Sequence, residues 1–320
     1  MEKLSFVIPC YNSQKTIGYV VRLINEVVTK KNMFDYEIIL VNDFSQDGTS
    51  TVIEEIARQN KNIIAINFSR NFGQHAALMA GFRHSSGDVV IYLDDDGQCP
   101  VNKIFDLIEP LNNGFDVSMA DYGVKKQSKF KNFGSKLNDI MAEHLVGKPK
   151  KLQLSNFGAL KRFVVDEIIK YQSCYPYIAG LILRTTSNIA NVKMEENERK
   201  EGKSNYNLKK LLSLWLNGFT SFSVKPLRIA SIAGVVFAFI GFIFGIYTII
   251  NKIFINPNIA IGYSTIVSLL TFFSGLVLMI MGMIGEYIGR IYICINKSPQ
   301  YVIKNLSLIH ISEPTRRYAI

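Results

Sequence analysis

Two stretches toward the C-terminal end constrain this chain more than any other feature. Ile229–Ile250 runs 22 residues without a charged side chain, and Ile259–Gly285 runs 27. At ~1.5 Å per helical residue the first reaches roughly 33 Å, which matches a ~30 Å hydrocarbon core. Buried helices of soluble proteins seldom run so long uncharged, so the sequence predicts two membrane-spanning helices, 229–250 and 259–285. Lys225 and Arg228 precede the first, Arg290, Lys297 and Lys304 follow the second, and the loop between them holds only Lys252. The positive-inside rule then places the large N-terminal region and the C-terminal end on the cytoplasmic side of the inner membrane.

Charge is segregated along the rest. The formal net charge of +10 divides into −5 over residues 1–119, +11 over 120–228 and +4 over 229–320. An anionic partner is therefore expected in the middle of the chain. Beside apolar segments, phosphate groups at a membrane suit that charge at least as well as nucleic acid. A hydrophobic share of 48% excludes a disordered chain. Cys10, Cys99, Cys174 and Cys294 form no CxxC pair and have no His at ligand spacing, which argues against a disulfide framework or a zinc site and fits a reducing compartment. The opening MEKLSFVIPCYN has no long apolar run, so no signal peptide is expected. At the other end, Leu306–Arg316 (LSLIHISEPTR) resembles an in-frame translation of a sequencing adapter. Residues 306–320 are accordingly set aside, with a natural end or divergence expected near Asn305.

From Leu4 to Ala120 short apolar runs alternate with helical periodicity. LSFVI (4–8), YEIILV (36–41), NIIAI (62–66), DVVIYL (88–93) and FDVSMA (115–120) predict strands covered on both faces. Residues 15–30, 50–60, 74–85 and 101–112 predict the intervening helices, with Thr51 and Glu54 as a capping box. This alternation predicts an α/β fold with a parallel, doubly wound sheet, which binds ligands beyond the carboxyl ends of its strands. The polar residues to weigh are then Pro9–Asn12, Asn42–Gly48, Ser69–Gln74 and Asp94–Gln98.

Two nucleotide-binding motifs fail. No GxGxxG follows a strand, and Gly202-Lys203-Ser204 has Asn197 where a P-loop requires its leading glycine. Asp94-Asp95-Asp96 remains. Adjacent carboxylates repel and favour a proton or a cation. Alternation along an extended segment would put Asp94 and Asp96 on one side, a hard oxygen site for Mg²⁺ or Mn²⁺ that leaves positions for diphosphate oxygens. An isolated acidic triplet is more often a solvated turn; its place at a strand end favours the metal. Asp43 closes the second strand, where it suits a base or ribose contact or an Asx-type turn equally well.

The motifs SFVIPCYN, EIILVNDFSQDGT, FSRNFGQHAALMAGF and LDDDGQCP resemble, in order and spacing, glycosyltransferase family 2 enzymes with a GT-A fold. The likeness continues through SNFGALKR, RKEGKSNY, LWLNGFTSFSVKPLR and EYIGRIY, and with the hairpin anchor it extends to the polyprenyl-phosphate glycosyltransferase branch. That branch includes dolichol-phosphate mannose synthase, bactoprenol glucosyltransferase and the aminoarabinose transferase. The resemblance implies a GT-A catalytic domain over 1–206, with a Rossmann-like, mostly parallel sheet. An interfacial amphipathic helix and linker over 207–228 (LKKLLSLWLNGFTSF at 208–222), the two spans, and a cytoplasmic segment over 286–305 follow.

Residue by residue, the resemblance places Pro9, Tyr11 and Asp43 around the nucleotide. Asp94 and Asp96 match the outer members of a DxD motif, with Gln98 as an accompanying metal ligand. Arg199, Gly202, Ser204 and Tyr206 match an RxxGxSxY segment that closes over the donor diphosphate, where Arg199 can pair with phosphate. Lys125, Lys126, Lys129 and Lys131 lie where the family binds an acceptor phosphate, although most basic faces are simply solvated. Two departures stand out: Asn156 replaces the Asp common in the family's SDF motif, and Asp95 has no counterpart role. The implied reaction is an inverting transfer from a nucleotide sugar, uridine-linked by resemblance, to a polyprenyl phosphate. The partners are thus a nucleotide sugar, a lipid phosphate, the bilayer and a second copy of the chain, and not nucleic acid. A polysaccharide synthase is disfavoured because QxxRW is absent and Trp215 is the only tryptophan. A non-catalytic scaffold is disfavoured by the intact Asp94, Asp96 and Arg199.

Overall fold

A computed structural model describes residues 3–31, 35–123, 149, 152–197, 262–296 and 298–307, with six isolated positions between Val236 and Phe254. The chain forms two compact units, Met1–Tyr206 with Ser298–Ile320, and Asn207–Lys297.

The first unit is built on an eight-stranded sheet of order β7-β5-β6-β4-β1-β2-β3-β8. Its strands are β1 (Leu4–Cys10), β2 (Tyr36–Asn42), β3 (Ile63–Phe68), β4 (Val89–Tyr92), β5 (Val117–Asp121), β6 (Gly158–Lys161), β7 (Ile189–Lys193) and β8 (Ile303–Ser307). The four central strands β4, β1, β2 and β3 run parallel. The helices between them are α1 (Ile17–Lys31), α2 (Thr49–Gln59), α3 (Gln74–His84) and α4 (Ile104–Asn112), the last after a short 3₁₀ turn at Val101–Lys103. Alternate strand residues serve opposite faces. Leu4, Phe6, Ile8 and Cys10, with Ile38 and Leu40, form one core with α1, α2 and α4. The other face is covered by α3, α5 (Arg162–Ile169) and α6 (Ile178–Thr185). Helices on both faces explain why these strands are almost wholly apolar.

Three strands lie outside the simple βα alternation. β6 runs antiparallel between β4 and β5, with Tyr92 opposite Gly158 and Met119 also opposite Gly158. Gly158 is fixed by close approach: a Cβ there would lie 2.7 Å from the Tyr92 hydroxyl and 2.8 Å from the Ser118 carbonyl. β7 pairs parallel with β5, and β8 pairs antiparallel with β3 at the far edge. The sheet is therefore mixed, with a parallel centre.

The expected capping box does not form. α2 begins at Thr49, two residues before Thr51, because Asp47 Oδ1 accepts the Thr49 amide at 3.0 Å. Glu54 instead accepts from Asn67 Nδ2 at 2.7 Å.

Among the described residues one helix, α7 (Tyr263–Ile295), is long and apolar enough to cross a membrane. Its 33 residues reach ten residues past the expected end at Gly285. The first expected span, 229–250, lies outside the described residues except at Val236, Phe239, Ile243, Tyr247 and Ile250, each of which is helical and exposed. The tail expected over 286–305 is shared between α7 and the first unit. β8 also crosses the expected boundary at residue 306, since Leu306 pairs with Ile66 and Ser307 with Ala65. A backbone ladder is indifferent to which side chains it carries.

Candidate active site

The carboxyl ends of the parallel strands gather the polar residues the sequence singles out. β1 ends in Cys10, whose carbonyl accepts the Asp43 amide at 3.0 Å, so the loops after β1 and β2 leave the sheet together. They are laced by side chains. Asn12 N donates to Ser45 Oγ at 2.9 Å, and Gln46 N returns a bond to Asn12 Oδ1 at 3.0 Å. Ser13 N donates to Thr49 Oγ1 at 2.8 Å. Asn12 and Phe44 each hold φ 56°, a left-handed conformation that Asn adopts with little strain and Phe with more. Tyr11 and Phe44 expose their rings at this rim, flat apolar surfaces suited to a planar base.

Asp43 is buried, and both its oxygens are used. Phe72 N donates to Oδ1 at 2.7 Å and Gly73 N to Oδ2 at 2.8 Å. Burial raises its pKa while the two amides pull it back down. The carboxylate thus fixes the loop between β3 and α3.

The acidic triplet begins two residues beyond the end of β4, where the chain turns. Strand alternation therefore does not govern it, and the three carboxylates diverge. Asp94 accepts from Gln74 Nε2 at 2.8 Å and from Asn156 Nδ2 at 3.3 Å. Asp95 turns back to β1, where it accepts the Tyr11 amide at 3.0 Å and the Ser13 hydroxyl. Asp96 Oδ1 accepts the Gln98 amide at 3.1 Å. Gly97, at φ 77°, makes the turn that a side chain would strain. Burial is the main cause of a raised pKa at Asp94, up to about 7, with the neighbouring Asp95 and Asp96 charges adding to it. Burial also raises Asp95, partly offset by its bonds to Ser13 and Tyr11. The cluster is costly as three bare anions, so a proton or cation relieves it.

The sequence singles out Gln74, Asp95 and Asn156 but not their partners. Asn156 reaches Asp94 because β6 is antiparallel to β4, so the start of one lies beside the end of the other. Asn197, two residues before Arg199, donates its amide to the Gln98 carbonyl at 2.9 Å. Asn197 is thus tied to the acidic turn. Arg199, Gly202, Ser204, Tyr206, the lysines 125, 126, 129 and 131, and the amphipathic segment 208–222 lie outside the described residues.

No group of three or more His, Cys, Asp or Glu is arranged around a metal position among the described residues. Asp94 and Asp96 are hard oxygen donors, the ligand chemistry that divalent cations such as Mg²⁺ or Mn²⁺ take, and a cation there would need further oxygens from a ligand. The strand ends thus form a rim of carboxylates and amides beside the Tyr11 ring.

The model for the family described as "Glycosyl transferase family 2" matches residues 5–169, which include every strand end of this rim. The chain belongs to glycosyl transferase family 2. A model described as "GtrB C-terminal hairpin" matches residues 225–291. The full-length relatives extend the match. The undecaprenyl-phosphate 4-deoxy-4-formamido-L-arabinose transferase of Edwardsiella ictaluri is 34% identical over 95% of this chain and 94% of its own. A prophage bactoprenol glucosyl transferase homolog of Escherichia coli K12 is 32% identical over 95% and 99%. The uncharacterized glycosyltransferase YkcC of Bacillus subtilis is 33% identical over 94% and 93%. Within family 2 the chain therefore belongs to the polyprenyl-phosphate glycosyltransferase branch. A solved structure, glucosyl-3-phosphoglycerate synthase of Mycobacterium tuberculosis with Mn²⁺ and uridine-diphosphate-glucose, shares its fold. That likeness has a TM-score of 0.51 at 20% identity and covers 69% of this chain and 77% of that one.

Proposed function

We propose that this family 2 enzyme transfers a monosaccharide, with inversion, from a UDP-sugar to undecaprenyl phosphate or a similar polyprenyl phosphate at the cytoplasmic membrane face. The product is a lipid-linked sugar for modification of cell-envelope glycans. The observation that carries this reading is the convergence of Asp43, Asp94 and Asp95 on one rim beside the exposed Tyr11 ring, in a chain that also matches a C-terminal hairpin.

In this reading Pro9, Tyr11 and Asp43 line the base and ribose. Asp94 and Asp96, with Gln98, hold a divalent cation. Bound there, the cation neutralises charge that develops on the departing diphosphate. Arg199, Ser204 and Tyr206 close on that diphosphate, which the anchoring of Asn197 to the acidic turn favours. Lys125, Lys126, Lys129 and Lys131 hold the acceptor phosphate. A phosphate monoester loses its second proton with a pKa of about 6, so the acceptor is already a nucleophilic oxyanion at neutral pH. No protein carboxylate need act as base. Asn156 suits that: an amide cannot take a proton from the acceptor, but it can donate to Asp94 and hold the metal-binding carboxylate in place.

The uncharged stretch 229–250 and α7 form the two spans. The positive flanks keep the catalytic domain and C-terminal end cytoplasmic, and membership of the branch favours a homo-oligomer. Membranes containing the protein, supplied with undecaprenyl phosphate and a panel of labelled nucleotide sugars, test the reading. One donor should label the lipid fraction; no labelling with any donor would favour a non-catalytic scaffold.

A further inference from the structure

The residues that follow α7 return to the catalytic unit and bind it closely. Cys174 Sγ donates to the Ser298 carbonyl at 3.0 Å. Gln300 Nε2 donates to the carbonyls of Tyr171 at 2.8 Å and Ser173 at 2.7 Å. The Val302 carbonyl accepts the Ser69 amide at 2.9 Å, and β8 then continues along β3. Between these anchors Tyr301 lies flat on Phe68, with ring centroids 5.2 Å apart and planes 8° from parallel. Arg83 Nη1 donates to its hydroxyl at 3.2 Å.

From Tyr301 a continuous series of contacts reaches the donor rim. Phe68 meets the edge of Phe72 at 5.7 Å and 87°. The Arg70 guanidinium covers the Phe72 ring at 4.7 Å. Phe72 and Gly73 then present their amides to Asp43. The loop between Ser69 and Gly73 is therefore held at one end by Asp43 and at the other by the stack under Tyr301.

We propose that Tyr301 is a positioning residue for the nucleotide donor: its stack on Phe68 keeps the Ser69–Gly73 loop in the conformation that orients Asp43. This rests on the reading of Asp43 as part of the nucleotide pocket. Without the ring, Phe68 loses the surface on one face and the loop samples other conformations. Donor affinity falls by the fraction of time the loop is out of place. The chemical step is disturbed less, because Gln74, which bonds Asp94, stands in the first turn of α3 and not in the loop.

The test uses the full chain in detergent with UDP as probe, and compares Tyr301→Ala with Tyr301→Phe. The alanine variant should weaken UDP binding and raise the donor KM about three- to tenfold, the range for a lost aromatic pair, with kcat within about twofold. Amide exchange at Phe72 and Gly73 should accelerate in the alanine variant, while β1 and β2 stay protected. The phenylalanine variant, which keeps the stack, should restore both. Unchanged exchange and UDP affinity in Tyr301→Ala would overturn the proposal alone, as would a fall in kcat at constant KM. A wild-type protein that binds no nucleoside diphosphate would overturn the donor reading and this role with it.

Discussion

Asn156 Nδ2 donates to Asp94 Oδ2 at 3.3 Å across the junction where the antiparallel β6 meets the end of β4. Gln74, the first residue of α3, donates to the other oxygen, so Asp94 is held between two neutral amides from opposite sides of the sheet order. Each amide favours the ionised carboxylate that burial and its two acidic neighbours oppose. An Asp in place of Asn156 would instead add a fourth carboxyl group to a site that already holds three.

Replacing that donor should therefore weaken catalysis without unfolding the protein. Asn156→Ala is expected to lower kcat/KM about tenfold, the lower range for a lost bond to a charged group, since this bond is long. Thermal denaturation should be little changed. Steady-state kinetics with the identified donor checks it; an unaltered kcat/KM would show that the amide has no part in holding Asp94.

Asp95 has a different task from its neighbours. It ties the β4 turn to the Tyr11 amide and the Ser13 hydroxyl of the β1 loop, and so sets where the Tyr11 ring stands. Asp95→Ala should raise the donor KM about tenfold, because the Tyr11 amide and Ser13 hydroxyl lose a half-buried charged acceptor. Metal affinity measured separately should change less than in Asp96→Asn. Equal losses of metal affinity in the two variants would assign Asp95 to the metal instead.

Asp96→Asn should lower metal-dependent transfer at least about a hundredfold, since a bound cation contributes several kcal/mol to stabilising a departing diphosphate. Titrating Mn²⁺ against activity in the two proteins checks this. Wild-type activity that survives complete chelation would contradict it.

Much of the fold was legible because its strands are bounded by polar turns and buried on both faces. β1 to β5 and the helices α1 to α4 lie where periodicity puts them, with ends shifted by up to two residues at most boundaries. β6 was not legible: it has four residues, and only its long-range pairing with Val89–Tyr92 makes it a strand. Asn156 could be flagged from the sequence as unusual but not given a partner, because its partner comes from that pairing. Asp95 was opaque for a similar reason, since the turn after β4 replaces the alternation expected of an extended segment. β8 was opaque because an edge strand at the end of the chain carries no signal beyond its backbone, and Tyr301 gains meaning only through Phe68.

The tight seat of Gly158 makes a stability prediction. Gly158→Ala drives a Cβ to 2.7 Å from the Tyr92 hydroxyl and 2.8 Å from the Ser118 carbonyl. Overpacking against backbone should cost about 1–3 kcal/mol, visible as a lower denaturation midpoint. Wild-type stability in this variant would mean that β5 and β6 can separate freely.

His75 makes the fold sensitive to acid. Its ring packs edge-on against Tyr177 at 5.2 Å, and its buried Nδ1 has no partner among the described residues. Burial lowers its pKa to about 4, so folding excludes a proton that the unfolded chain binds below its ordinary value of about 6.5. Stability should be full above about pH 6.5 and fall as pH drops toward 4, by up to about 3 kcal/mol from this group. Denaturant unfolding at several pH values checks the sign, and His75→Gln should flatten that part of the profile.

In the proposed reaction the phosphate of a polyprenyl chain attacks a nucleotide sugar. This is tested most directly by supplying the active labelled donor with undecaprenyl phosphate in one reaction and undecaprenol in another, each with Mn²⁺. Label should enter the lipid fraction with the phosphate and not with the alcohol. Label entering both equally, or neither with any nucleotide sugar, would contradict it.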